Sequence, residues 1–373
     1  MSTGYLFDER VLGHDTGEAL IPLPAGGTLE PVEHPSAARI TRRTHALIAG
    51  SGLLDRLTRL PARFATPDDV ALYHTREHIT RIRDLCAAGG GEASMEAGET
   101  TPVTPASYDA ALLAVGGGMA AVDAVLTGAV DNAYALLRPP GHHAMANAAM
   151  GFCLFNNVVI AARHAQRGHG LRRVMIVDWD VHDGNGTQAA FYDDPDVLFV
   201  SLHQEDWYPL GWGAVGDVGA GAAAGRTVNI PLPPGTGDQG YLDAFARVIR
   251  PIARQFGPEV VLISAGQDPS MMDPLGRMMV TMDGFRALAG AMVEIASEVC
   301  GGRLVGLQEG GYSAPYVPFC TLAVVEAFLG HRSGVRDPYT DSSELDRAKR
   351  EDRPQQRAAV DAVIAVQRAY WDL

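Results

Sequence analysis

From about residue 133 onward, short apolar runs alternate with longer stretches in which apolar positions recur at helical spacing. The runs at 133–137 (AYALL), 174–177 (VMIV), 197–202 (VLFVSL), 260–264 (VVLIS) and 304–307 (LVGL) are apolar throughout but for Ser201 and Ser264. An unbroken run is the pattern of a strand covered on both faces, because a half-exposed strand alternates. Helices are predicted between them at about 154–167, 186–193, 240–256 and 283–299, which implies a parallel sheet flanked by helices, an α/β fold. Residues 21–36 are rich in Pro and Gly and residues 89–105 in Gly, Glu and Thr, so both read as surface loops. The stretch 334–356 is charged and turn-rich, and the closing AAVDAVIAVQRAYW reads as an amphipathic helix. With no internal repeat, one domain over 1–373 is the simplest account, with its motif-dense part at 134–330 and a C-terminal charged segment and helix at 334–373.

Composition narrows the class of function. The chain has 30 Lys+Arg against 44 Asp+Glu, a formal net charge of −14, with 47% hydrophobic and 20% charged residues. That hydrophobic content excludes a disordered chain, and the acidic balance argues against nucleic acid as a partner, since phosphate neutralisation needs clustered basic residues. The four cysteines (Cys86, Cys153, Cys300, Cys320) are far apart and form no CxxC pair, as expected of reduced thiols in a cytoplasmic protein. No run approaches 18 apolar residues and MSTGYLFDER lacks the pattern of a leader, so neither a membrane span nor a signal peptide is expected.

In open parallel sheets, ligands bind beyond the carboxyl ends of the strands. Four polar clusters follow predicted strands. In Asp178-Trp179-Asp180-Val181-His182-Asp183, extended backbone turns Asp178, Asp180 and His182 to one side, a donor set that suits a divalent ion such as Zn²⁺; alone it also suits a polar turn. Asp268, in Ser264-Ala265-Gly266-Gln267-Asp268, can add a ligand from another strand or simply cap a turn. Arg138-Pro139-Pro140-Gly141-His142-His143 offers an acid/base pair on a stiff loop, with Asp178 and Asn185 as candidate partners for the rings. Gln308-Glu309-Gly310-Gly311-Tyr312 can bring a phenol to an oxyanion, or pack it in a loop. Together the clusters contain the parts of metal-assisted amide hydrolysis.

In this order, RPPGHH, GFCLFNN, DWDVHDGNGTQ, SLHQ, NIPLPPGTGD, SAGQDPSMMDPLG and QEGGY resemble the histone deacetylase superfamily, on its class II side and near bacterial histone deacetylase-like amidohydrolases, including acetylpolyamine amidohydrolase relatives. The resemblance covers nearly the whole chain. It implies an arginase-like α/β fold with a central, mostly parallel sheet, and a deacetylase holding one Zn²⁺ on Asp180, His182 and Asp268. It implies His142 and His143 as the acid/base pair, partnered by Asp178 and Asn185, and Tyr312 as the carbonyl-polarising donor. A structural K⁺ or Na⁺ would sit near Asp178, Asp180, His182, Ser201 and Leu202. Gly151, Phe152, Tyr208, Leu275 and Gly310 would line the acyl channel. The substrate would be a small-molecule or peptide amide: acetyl-lysine, an acetylated polyamine or another carboxamide. The early loop and the last helix are candidate surfaces for a homo-oligomer.

Several residues depart from the family pattern. Asp183 stands where a second His is usual: near the site it would raise His basicity, and turned to solvent it would matter little. Tyr208 replaces a channel Phe, Gln267 and Pro269 flank Asp268, and Glu99 lies in the loop where relatives use an Asp to grip substrate amides. The two-metal chemistry of the related arginases needs carboxylates where Gly184 and Ser270 stand here. A non-catalytic acyl-amide reader would have no use for Tyr312 or the His pair. Glu205 and Asp206, with Trp207, Tyr208 and Trp212, can receive a cationic substrate chain at the channel mouth, or form a solvated loop over packed aromatics.

Overall fold

The computed structural model describes residues 2–19, 30–95, 100–339 and 353–373. Eight parallel strands form the central sheet: β1 (Thr3–Leu6), β2 (Thr58–Arg59), β3 (Asn132–Ala135), β4 (Val174–Asp178), β5 (Val197–Gln204), β6 (Thr227–Leu232), β7 (Val260–Ala265) and β8 (Leu304–Gln308). Their spatial order is β6-β5-β4-β7-β8-β3-β1-β2. All five expected strands are present. Sequence reading did not find β1, β2 or β6.

Both faces of the sheet are covered, which is why its strands are apolar throughout. On β4, Met175 and Val177 enter one core while Val174 and Ile176 enter the other; on β7, Val261 and Ile263 oppose Val260 and Leu262 in the same way. The first core is closed by helices Ala38–Gly50, Met282–Cys300 and Val317–Leu329 and by the run from Asp238 to Phe256, which contains a π-turn at Phe245–Ile249. The second is closed by Ser107–Leu126 and Asn157–His169. Ser107–Leu126 is long and apolar enough to cross a membrane, but its apolar window is 72% buried, as befits a core helix. The closing helix runs over Pro354–Gln367 and buries Val360, Val363, Ile364 and Gln367, the i, i+3, i+4, i+7 stripe of an amphipathic helix.

Connections diverge between β4 and β7. The chain leaves β4 for β5 on one side, and leaves β7 for β8 on the other. That divergence opens a crevice at the carboxyl edge, the place where such sheets bind ligands. The expected loops at 21–36 and 89–105 are loops where described, each with a short antiparallel pair: Glu18–Ala19 with Val32–Glu33, and Gly91–Glu92 with Pro102–Val103. Glu99 and most of the charged stretch 334–356 lie outside the described residues.

Candidate active site

The four polar clusters follow β3, β4, β7 and β8, four neighbouring parallel strands, so their loops leave the sheet at one edge and converge. His182 Nδ1 lies 2.9 Å from Asp180 Oδ1 and 3.2 Å from Asp268 Oδ2. One donor atom from each residue falls within 4.8 Å of the others, and all three side chains are buried. Backbone amides hold the outer carboxylate oxygens: Val181 N–H donates to Asp268 Oδ1 at 2.8 Å, and Gly310 N–H to Asp180 Oδ2 at 2.9 Å. Asp268 Oδ2 has no donor in line with it among the described residues, despite the nearby imidazole.

The donor set fits a divalent cation. Two carboxylates at 0% exposure flank one imidazole, a burial of charge that is costly without a positive partner. Burial, then the neighbouring Asp180, push the Asp268 carboxyl well above its ordinary range. Burial alone would lower His182, but the flanking carboxylates raise it to about 10. Asp180, His182 and Asp268 are thus arranged to accept an ion that binds O and N donors, as Zn²⁺ does. Gly310 completes the cradle: a Cβ there would come within 2.4 Å of Asp268 Oδ2, 2.6 Å of Asp180 Oδ2 and 3.0 Å of the Tyr312 hydroxyl. Those three atoms therefore surround one point, and no side chain fits between them. Gly310, expected in the channel wall, lies against the ligand carboxylates.

The two histidines stand 4.0 Å apart between ring centroids, and their partners differ. His142 Nδ1 is 2.9 Å from Asp178 Oδ2, whereas His143 Nδ1 is 2.8 Å from Asn185 Oδ1. The Asn185 amide nitrogen faces the sulfurs of Met145 and Met150, which leaves its oxygen for His143. An amide oxygen only accepts, so His143 carries its proton on Nδ1 and keeps a lone pair on Nε2. Burial lowers His142, but the carboxylates of Asp180 and Asp178 outweigh it and raise that ring well above its ordinary value. Burial and the positive rings of His142 and His182 push His143 well below it. Their surroundings therefore drive the two rings in opposite directions.

Of the residues expected in the acyl channel, Gly151, Phe152 and Tyr208 lie against this centre. Phe152 meets the Tyr312 ring edge-on at 5.6 Å, Tyr208 meets His143 at 5.1 Å and His182 at 6.0 Å, and Gly151 packs against the His143 ring. Leu275 is tied to the mouth loop, its carbonyl accepting from Trp207 Nε1 at 2.8 Å. Ser201 lies beside Asp178 in the ladder between β5 and β4, and Leu202 follows it. Asp183 turns inward, not to solvent: it is 2% exposed, its carboxylate lies 3.7 Å from His203 Nδ1, and burial pushes it up to about 7.

Sequence reading assigned no role to two carboxylates. Asp273 accepts the Tyr312 N–H on Oδ2 at 2.7 Å and the Leu275 N–H on Oδ1 at 2.9 Å, so one side chain sets both the phenol loop and the channel wall. Glu309 accepts from Gly141 N–H at 2.6 Å and His142 N–H at 3.2 Å, fixing the histidine loop. Glu309 also accepts from the Ser264 hydroxyl at 3.2 Å. Both carboxylates lie inside the polar clusters, but their contacts to backbone amides leave no signal in residue spacing. Asp273→Asn places an NH₂ against a backbone donor. It should lower kcat about tenfold, the effect of one lost buried hydrogen bond, with KM nearly unchanged. Steady-state kinetics check this, and unchanged kcat would remove the positioning role.

Buried carboxylates, imidazoles and a phenol from four strand ends thus converge in one candidate active site that includes a group able to hold a metal ion, and comparison with known proteins shows the family to which such a chain belongs. Residues 34–328 match the histone deacetylase domain family. The chain is 41% identical over 366 residues to a histone deacetylase-like amidohydrolase of Pseudomonas aeruginosa, covering 97% of this chain and 95% of that one. It is 41% identical over 286 residues to the human polyamine deacetylase HDAC10, covering 75% of this chain and 42% of the human protein. A crystal structure of the HDA15 HD domain superposes with a TM-score of 0.84 at 34% identity, over 99% of this chain and 96% of that one. The chain belongs to the histone deacetylase family, with the arginase/deacetylase fold.

Proposed function

We propose that the chain is a zinc-dependent amidohydrolase that removes an acyl group from an amine, acting on an acetyl-lysine-like or small acylated amine. The observation that carries this reading is the convergence of His182 Nδ1 on Asp180 Oδ1 and Asp268 Oδ2, at 2.9 Å and 3.2 Å, with the Tyr312 hydroxyl and the His pair alongside. When bound by Asp180, His182 and Asp268, Zn²⁺ supplies Lewis acidity toward the acyl carbonyl and makes water acidic at neutral pH.

This chain's own residues account for the rest. His143, neutral and oriented by Asn185, offers Nε2 to take a proton from the attacking water. The Tyr312 O–H donates to the carbonyl oxygen as negative charge develops there. The C–N bond then breaks, and the imidazolium returns its proton to the leaving amine, giving a carboxylate and a free amine. His142, held cationic by Asp178, stabilises the negative charge of the assembly. Asp178 and Ser201, neighbours in the ladder, with carbonyls near Asp180, His182 and Leu202, would hold a structural K⁺ or Na⁺. The four buried free cysteines suit a reducing, cytoplasmic setting.

Hydrolysis of an acetyl-lysine peptide, acetylputrescine and an uncharged acyl anilide, each with and without a chelator, tests this reading. Chelator-sensitive release from at least one is expected, with kcat/KM highest for acetylputrescine, whose free ammonium Glu205 and Asp206 can receive. Chelator-resistant release, or none from any of the three, would overturn the proposal. A second prediction concerns the base. Asn185→Asp puts a carboxylate on His143 Nδ1, which favours the protonated ring and raises its pKa. Because the base works when neutral, the acid limb of kcat/KM should move to higher pH by about one unit, with activity above that limb kept. An unmoved acid limb would separate that limb from His143.

A further inference from the structure

Outside the strand-end clusters, a second group of metal-type donors bridges two helices. Asp123 belongs to helix Ser107–Leu126, and His164 and His169 to helix Asn157–His169, in the second core layer. His164 Nε2 lies 2.5 Å and His169 Nε2 2.7 Å from the same oxygen, Asp123 Oδ1. The two rings are perpendicular, with centroids 5.5 Å apart. One donor atom from each of the three falls within 4.8 Å of the others, the criterion that the active-site triad also meets among the described residues.

A surface carboxylate commonly takes one imidazole. Two Nε2 atoms turned on one oxygen, from positions five apart on one helix and from a second helix, make a compact N,N,O face. We propose that Asp123, His164 and His169 bind one divalent transition-metal ion, distinct from the active-site ion and not involved in catalysis. Imidazole and carboxylate together suit Zn²⁺, Ni²⁺, Co²⁺ and Cu²⁺, with water filling the remaining positions. The side chains of His164, His169 and Asp123 are 17%, 21% and 39% exposed, so a hydrated ion reaches them without opening the fold. Metal–donor bonds of about 2.0–2.1 Å ask the hydrogen-bonded atoms to separate only slightly.

One neighbour opposes the ion. Arg63 Nη2 lies 3.9 Å from Asp123 Oδ2, while its Nη1 lies 3.6 Å from Asp69 Oδ2, so the guanidinium has a second carboxylate to turn to. Its charge keeps this site weaker than the buried one. Because the donors come from two helices, the ion links them, and binding to the folded chain alone stabilises it by mass action.

The test is a calorimetric titration of Ni²⁺ into the full chain, first loaded with Zn²⁺ and freed of excess, alongside thermal melting. The wild type is expected to take up one Ni²⁺ per chain and to gain Tm with added Ni²⁺. The His164→Ala/His169→Ala double variant and the more conservative Asp123→Asn variant should each bind at least about tenfold more weakly, with kcat/KM for amide hydrolysis unchanged in the absence of Ni²⁺. No uptake by the wild type at millimolar Ni²⁺, or undiminished uptake in both variants, would overturn the proposal.

Discussion

Asp268→Asn is expected to yield a folded protein that neither retains Zn²⁺ nor hydrolyses amides. Asparagine preserves the volume and the oxygen that accepts Val181 N–H at 2.8 Å, so the loop after β7 keeps its main anchor. It changes the other atom. Oδ2, which faces His182 at 3.2 Å and has no donor in line, becomes an NH₂ that cannot ligate. The ion loses a ligand and half of the carboxylate charge that balances it. The chemistry loses its Lewis acid, which predicts a fall in kcat/KM on the order of 10³ or more. Metal content after dialysis, circular dichroism and anilide hydrolysis together check this. A variant that keeps both ion and activity would show that Asp268 is not a ligand.

Tyr312→Phe is expected to fold and to hold its metal with wild-type affinity, yet to lose about 10²–10³ in kcat, the effect of removing an oxyanion donor. The ring is 8% exposed and packs on Phe152, contacts that Phe preserves. Burial and the carboxylates of Asp268 and Asp180 push the phenol well above its ordinary pKa. It therefore keeps its proton across the working pH range and stays able to donate. Since the donor acts on charge that develops in the transition state, KM should change little. A Tyr312→Phe enzyme with near-wild-type kcat would assign the oxyanion to other groups; one that loses its metal would make Tyr312 part of the ion's support instead.

The centre of the sheet and the site were legible in the sequence for the same physical reason. Strands buried on both faces are unbroken apolar runs, and the polar residues that end them stand out: Asp178 after VMIV, Asp268 after VVLIS, Gln308 after LVGL. The edges were not. β1 and β2 are too short to show a period, and β6, TVNIPL, carries Asn and Pro, which an edge strand tolerates but which read as a turn. Helix Ser107–Leu126 was hidden by its three consecutive glycines. A Cβ at Gly116 would lie 2.0 Å from Arg63 O, so the glycine serves close packing, not flexibility. Helix Val317–Leu329 is apolar on every side and so shows no face. Within the site, the direction of Asp183 depended on tertiary packing, and the roles of Asp273 and Glu309 on backbone amides that no side-chain spacing records.

The most direct test of the account is to strip the chain of metal, confirm that it remains folded, and follow hydrolysis of an acyl-lysine anilide as Zn²⁺ is returned. The account predicts no turnover without metal and full recovery with the first equivalent bound at Asp180, His182 and Asp268, a recovery that Asp268→Asn does not show. Full turnover by the metal-free chain would contradict it.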